Sequence, residues 1–160
     1  MTTLNTLVER VQEAAEQGNL DEALKLMDDG KAVGEAHGSY HFIRGSLLYR
    51  LQELEHAIGS FRMAIQIGPP LPEYLSNLGM ALIERSEEPE REHASADLEE
   101  AISLLEDAVK LGPRLPHTYV NLGSAYLNQG DRTKARYYLN LALDLDPSFE
   151  PAKRGLATLE

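Results

Sequence analysis

Two stretches of this chain 44 residues apart are nearly the same: Ile67-Gly-Pro-Pro-Leu-Pro-Glu-Tyr-Leu-Ser-Asn-Leu-Gly79 and Leu111-Gly-Pro-Arg-Leu-Pro-His-Thr-Tyr-Val-Asn-Leu-Gly123. Self-similarity at a spacing of tens of residues marks a stacked-repeat architecture, in which no unit can bury its apolar face alone and each packs on its neighbour. Surfaces built this way usually bind rather than catalyse. At 160 residues the chain has room for three to five helical hairpins.

Apolar residues make up 42% of the chain, enough for a continuous core, while aromatic residues reach only 6%. Repeats built on small residues have this composition. Fifteen basic residues against 26 acidic ones give a formal charge of −11, which argues against nucleic acid or an anionic membrane and for a neutral or basic partner. Cysteine is absent, which excludes disulfides and thiolate chemistry and fits a reducing compartment. The first ten residues lack a cationic flank followed by an apolar core, and no apolar run approaches the roughly 18 residues of a membrane span. The expectation is a soluble, cytoplasmic protein.

On a helical pattern, Tyr119, Leu122, Gly123 and Tyr126 share one side, and Gly130, Ala135, Leu139, Ala142 and Pro147 follow. This pattern resembles the tetratricopeptide repeat, a 34-residue helix–turn–helix unit with a bulky residue, Leu-Gly, Tyr, Gly, Ala, an aromatic or Leu, Ala and Pro at these offsets. Gly123 and Ala135 suit the closest approach of two antiparallel helices, Gly130 suits a positive φ at a helix end, and Pro147 a helix stop. Moving back 44 residues gives Leu75, Leu78, Gly79 and Leu82 in the first helix, and, with ten extra residues between the two helices, Ala101, Leu105, Ala108 and Pro113 stand 34 residues back in the second. The pair before that has Gly45, Leu48, Ala57, Phe61, Ala64 and Pro69, and 34 residues before these stand Ala14, Gly18, Ala23 and Met27. The match is weaker there, with Arg44 in a Leu position and Val11, Gly30 and Glu35 where Gly, Ala and Pro are usual.

The resemblance covers nearly the whole chain and implies an all-α fold, an alpha-alpha superhelix of antiparallel helix pairs. The expected organisation is a single domain over 1–160, with repeats at about 4–37, 38–71, 72–115 and 116–149 and a capping helix at 150–160. In the cap, Ala152, Leu156 and Leu159 lie on one side.

The third repeat carries ten extra residues. From Glu84 to Glu100 there are eight acids and two arginines, more than half of the chain's excess charge. Pro89 disfavours a helix through Glu88, and the density of like charge makes residues 87–93 the expected mobile part. The second helix of that pair is expected to begin near Ala94. An acidic arm that contacts a basic partner is one reading, and a solvated insertion of little energetic consequence is the other.

In the family that this chain resembles, the first helix of each pair lines the concave face. The register then places Val8, Glu9 and Gln12 there from the first repeat, and Phe42, Ile43, Ser46, Tyr49 and Arg50 from the second. The third contributes Glu73, Asn77, Met80, Ile83 and Glu84, and the fourth His117, Asn121, Ser124, Leu127 and Asn128. An apolar strip of Phe42, Tyr49, Met80, Ile83 and Leu127 edged with polar groups suits an extended peptide or one face of an amphipathic helix. Asn77 and Asn121 hold the same position before Leu-Gly. Each carboxamide offers a donor and an acceptor to the backbone of a bound strand, whatever that strand's side chains, and this resembles the asparagine ladder of peptide-holding members. The two-carboxylate clamp of chaperone-binding members is rejected, because its Lys, Asn, Asn, Lys and Arg positions hold Val8, Gln12, Ile43, Glu73 and Asn77.

No phosphate loop, nucleophile elbow or Cys/His ligand pattern appears. His37 and His41 are four residues apart, but Gly38 and a repeat boundary intervene, so no metal site is expected. The chain is therefore expected not to be an enzyme and to need no cofactor. The favoured reading is an adaptor or scaffold that binds a peptide or helix segment of a partner through Asn77, Asn121, Phe42, Tyr49, Met80, Ile83, Ser124, Leu127, His117 and Arg50. The alternatives are a self-associating homo-oligomeric module, or a regulatory or chaperone subunit of an enzyme or secretion complex.

Overall fold

A computed structural model describes residues 3–88, 92–112 and 114–160. Among them there are ten helices and no strand: α1 (Leu4–Glu16), α2 (Leu20–Asp29), α3 (Lys31–Gly34), α4 (Gly38–Arg50), α5 (Leu54–Ile67), α6 (Pro72–Ser86), α7 (Ala94–Leu111), α8 (Pro116–Asn128), α9 (Arg132–Leu145) and α10 (Glu150–Ala157). The fold is all-α, and the helices form two compact units, 1–70 and 71–160.

Local chemistry sets the helix ends. Thr3 caps α1 through a bond from the Thr6 N–H, and Asp131 caps α9 through one from Lys134 N–H at 3.0 Å. Pro72 and Pro116 stand in the first turns of α6 and α8, where a missing N–H costs no helical bond. The turn after the first helix needs a left-handed residue, and Gly18 (φ +80°) and Gly130 (φ +87°) supply it. Gln52, at the same register, adopts φ +62° without glycine's freedom, a strained choice that the pattern alone does not reveal.

In the first unit, α1 packs on α2, α2 on α4 and α4 on α5. Leu7, Val11, Ala23, Met27, Tyr40, Leu48, Ala57, Ile58 and Phe61 form its core. Two departures from the repeat pattern have local causes. Gly30 replaces Ala because a Cβ there would lie 2.4 Å from Leu7, and the second helix breaks at that point into α2 and the short α3. The buried Tyr40 hydroxyl donates to the Met27 carbonyl at 2.8 Å, which satisfies one of the last carbonyls of α2.

In the second unit, α6 pairs with α7, α8 with α9, and α10 packs on α8 and α9. The close approaches repeat in register: a Cβ on Gly79 would meet Leu105 Cγ at 2.9 Å, and one on Gly123 would meet Leu139 Cγ at 2.8 Å. Ala101, Leu105, Ala135, Leu139 and Ala142 are buried opposite them, and Ala152 and Leu159 bring the last helix onto this core. Pro113, expected as a helix stop, lies outside the described residues.

The stretch from Glu84 to Glu100 is not one solvated loop. Helix α6 continues through Ser86 and α7 starts at Ala94. Asp97 is buried and receives two hydrogen bonds from Arg85, with Nε at 2.8 Å from Oδ2. Of the segment expected to be mobile, 87–93, residues 89–91 lie outside the described ones.

Tyrosines form a further layer on α8 and α9: the Tyr126 and Tyr138 rings are parallel to within 1° at 5.5 Å, and Tyr119 stacks on Tyr138 at 6.4 Å. Burial, and then the hydrogen bond from the Tyr126 hydroxyl to Glu106 at 3.1 Å, push the Tyr126 phenol up to about 12. An unfolded tyrosine ionises near pH 10, so this preference for the neutral phenol stabilises the fold fully below pH 10 and is lost as pH rises towards about 12. Urea midpoints should therefore fall between pH 10 and 12, and less steeply in Tyr126→Phe. An equal fall in both proteins would show that Tyr126 is not responsible.

Candidate functional site

The second unit holds most of the residues expected to bind a partner. Helices α6 and α8 lie side by side, joined by a hydrogen bond between the Ser76 and Thr118 hydroxyls at 3.3 Å. Asn77 and Asn121 are both half-buried on these helices, but their side chains are in different states. Asn77 Nδ2 donates to the Glu73 carbonyl one turn back at 2.8 Å, which leaves its Oδ1 and its second N–H open to a ligand. Asn121 makes no side-chain hydrogen bond among the described residues, so both its donor and its acceptor are available to a ligand.

Met80, Ser124 and Leu127 are half-buried, and His117 has its ring edge against Phe149 at 4.8 Å. Ile83 differs from expectation: at 6% exposure it belongs to the core rather than to an open apolar strip. It lies one turn beyond Gly79, near the side of α6 that meets α7. Asn128, read as another inner-face residue, donates to Glu87 at 2.6 Å and ties the end of α8 to the end of α6.

The first unit holds the other three. Phe42 is half-buried with its ring 5.9 Å from the core residue Phe61, so much of its surface is committed to packing. Tyr49 is half-buried. Arg50 is exposed, and its Nη2 donates to the Ala15 carbonyl at 3.3 Å, a cap on the last turn of α1. That contact gives Arg50 a structural role that the inner-face register did not suggest. Between α1 and α4, Leu4, Asn5, Val8, Glu9, Ser39 and Ile43 line a shallow cleft of about 360 Å³.

The residue pair that sequence reasoning missed is Arg85 with Asp97, whose side chains are 12% and 6% exposed. The available signal was an arginine inside an acidic run, since a buried carboxylate needs a cation within reach. His41 bonds the Glu35 carbonyl through Nε2 at 2.9 Å. Among the described residues no group of three or more His, Asp or Glu side chains could hold a metal ion. No helix among them is long and apolar enough to cross a membrane.

Comparison with known proteins places this geometry. Two family profiles, each described as tetratricopeptide repeat, match residues 116–149 and 8–72. A thermophilic TPR protein of Thermus thermophilus superposes with a TM-score of 0.80 at 22% identity, over 97% of this chain and 80% of that one. YrrB, a TPR protein with an unusual peptide-binding site, gives 0.79 at 19% identity, over 95% of this chain and 73% of that one. MamA of Desulfovibrio magneticus RS-1 gives 0.76 at 17% identity, over 97% and 92%. No curated protein matches the sequence. At these identities the structural likeness speaks for the fold alone. With the two profiles together matching more than half of its residues, this chain belongs to the tetratricopeptide repeat family.

Proposed function

We propose that this protein is a non-catalytic adaptor that holds a peptide or helix segment of a partner protein, with the face formed by α6 and α8 as its main site. The observation that carries the reading is the state of Asn121, a half-buried carboxamide with no hydrogen-bond partner among the described residues, at the same repeat position as Asn77. In this reading Asn121 gives and accepts backbone hydrogen bonds, Asn77 accepts through Oδ1, and Met80, Ser124 and Leu127 contact side chains. His117 stands at the edge of the site. Phe42 and Tyr49 on α4, with Val8 and Ile43 beside the cleft, form a second contact region, and the four helix pairs act as successive repeats of one domain.

The formal charge of −11 favours a neutral or basic segment over an acidic one, nucleic acid or an anionic membrane. YrrB, which shares the fold, is described as having a peptide-binding site, and this supports peptide recognition as a use of the same scaffold. The lack of cysteine suits a reducing, cytoplasmic setting.

A selection of displayed peptides against the full chain tests the proposal. The best peptide should bind Asn77→Ala/Asn121→Ala roughly 10- to 2,000-fold more weakly, given about 0.5–1.5 kcal/mol for each of the three hydrogen bonds. Helicity and melting temperature should stay within about 2 °C of wild type, as for surface substitutions. Undiminished affinity would exclude the α6–α8 face. A second reading, self-association, draws on Leu111 and Leu145, which are 57% and 43% exposed at the same repeat position. A concentration-dependent dimer in sedimentation, with no peptide selected, would favour it.

A further inference from the structure

Immediately before the glycine of close approach, the second helix pair has Arg44 where the later pairs have the buried Leu78 and Leu122. A guanidinium in a leucine position does not fill the space as an apolar side chain would. A cavity of about 480 Å³ opens beside it within the first unit, lined by Lys31, Tyr40, Arg44, Gly59, Ser60 and Met63 among others.

The donors in this cavity are incompletely used. Arg44 Nη1 donates at 3.2 Å to the hydroxyl of Ser60, a residue only 6% exposed, which anchors the guanidinium at the cavity floor. Its Nε reaches Asp28 at 3.4 Å, a long contact to a carboxylate more than half exposed, and such surface pairs are easily displaced. Nη2 has no hydrogen-bond acceptor among the described residues. Lys31 touches Glu35 only at 3.8 Å, with both side chains largely exposed.

Gly59 also lines the cavity. A glycine inside a helix is unfavourable relative to alanine, and this one has no packing reason, since a Cβ there would have nothing within 4 Å. Its exposed backbone lies on the wall of the cavity.

We propose that the cavity binds an oxyanion, the phosphate or carboxylate group of a small ligand. Arg44 is the principal donor, Ser60 holds it in place, and Lys31 closes over the bound group. The ligand replaces Asp28 at the guanidinium and uses the directed geometry that suits arginine to planar or tetrahedral oxyanions. Asp28 and Glu55, also on the rim, balance the charges of Lys31 and Arg44. Selectivity therefore rests on aligned donors rather than on a positive field, and affinity for a lone anion is in the millimolar range. The site shares no residue with the proposed peptide face.

Titration of the full, 15N-labelled chain with inorganic phosphate and, separately, glutarate at constant ionic strength tests this. Saturable shifts are expected at the amides of Gly59 and Ser60 and at Arg44 Nε–H. Saturation by phosphate alone assigns a phosphate ligand, by glutarate alone a carboxylate, and by both an oxyanion site of either kind. Arg44→Leu, which places in this position the residue found in the later pairs, should fold at least as stably and weaken binding roughly 10- to 100-fold. Gly59→Ala, whose added methyl meets nothing within 4 Å, favours the helix and should leave binding within about twofold of wild type. No saturable shift with either anion would overturn the proposal, as would equal binding by wild type and Arg44→Leu.

Discussion

Gly79→Leu should destabilise the second unit by about 3 kcal/mol or more, because its first added carbon already lies 2.9 Å from Leu105 Cγ and 3.4 Å from the Ala101 carbonyl. Leu105 is fully buried and cannot move aside without displacing its own neighbours. A leucine here adds three further heavy atoms beyond that Cβ, so α6 and α7 must separate. The melting temperature should fall by roughly 6–12 °C for a chain of this size. Gly79→Ala makes a graded control, since its single carbon overlaps Leu105 while its helix propensity offsets part of the cost. Gly123→Leu should behave like Gly79→Leu, because a Cβ there meets Leu139 Cγ at 2.8 Å. Wild-type stability in Gly79→Leu would mean that α6 and α7 do not touch at this point and that the repeat register is wrong.

Arg85→Ala should cost about 3–5 kcal/mol, because it leaves the Asp97 carboxylate buried without its cation. The penalty comes from desolvation rather than from the lost attraction alone. Arg85→Met with Asp97→Leu removes both charges and should therefore recover most of the stability, as replacement of a buried pair by apolar groups often does. Urea denaturation of the two single variants and the double gives the coupling directly. If the single variants lose less than about 1 kcal/mol, the pair is solvated like an ordinary surface contact. The acidic insertion would then be anchored by something else.

How far these features can be read from sequence depends on the range of the interaction. The positions of Gly79, Gly123, Ala101, Ala135, Leu105 and Leu139 are legible because helix pairs repeat the same close approach, and the approach tolerates few residue types. Gly18 and Gly130 are legible for a local reason, the left-handed turn. The register does not reveal that Arg50 bonds the Ala15 carbonyl, 35 residues earlier, because no spacing rule connects the two. Phe42 is less available than its register implies because its contact with Phe61 joins two helices.

Ile83 shows why the inner face is hard to count from a helical wheel. A first helix packs on its own partner and on neighbouring pairs, so its free arc is narrow. Ile83, at 6% exposure, lies outside it, and the partner helix α7 is 18 residues long where α5 and α9 are 14. The added length carries Asp97 to Arg85 at the end of α6. The insertion looks like a charge run in sequence because the signs of residues are visible there, whereas the burial of one Arg–Asp pair is not.

The most direct test of the adaptor reading is affinity capture from an extract of the native cells, with wild type and Asn77→Ala/Asn121→Ala compared by quantitative mass spectrometry. The account predicts one or a few protein partners that are retained by wild type and lost with the folded double variant. Partners retained equally by both proteins would contradict it and move the interaction away from the α6–α8 face.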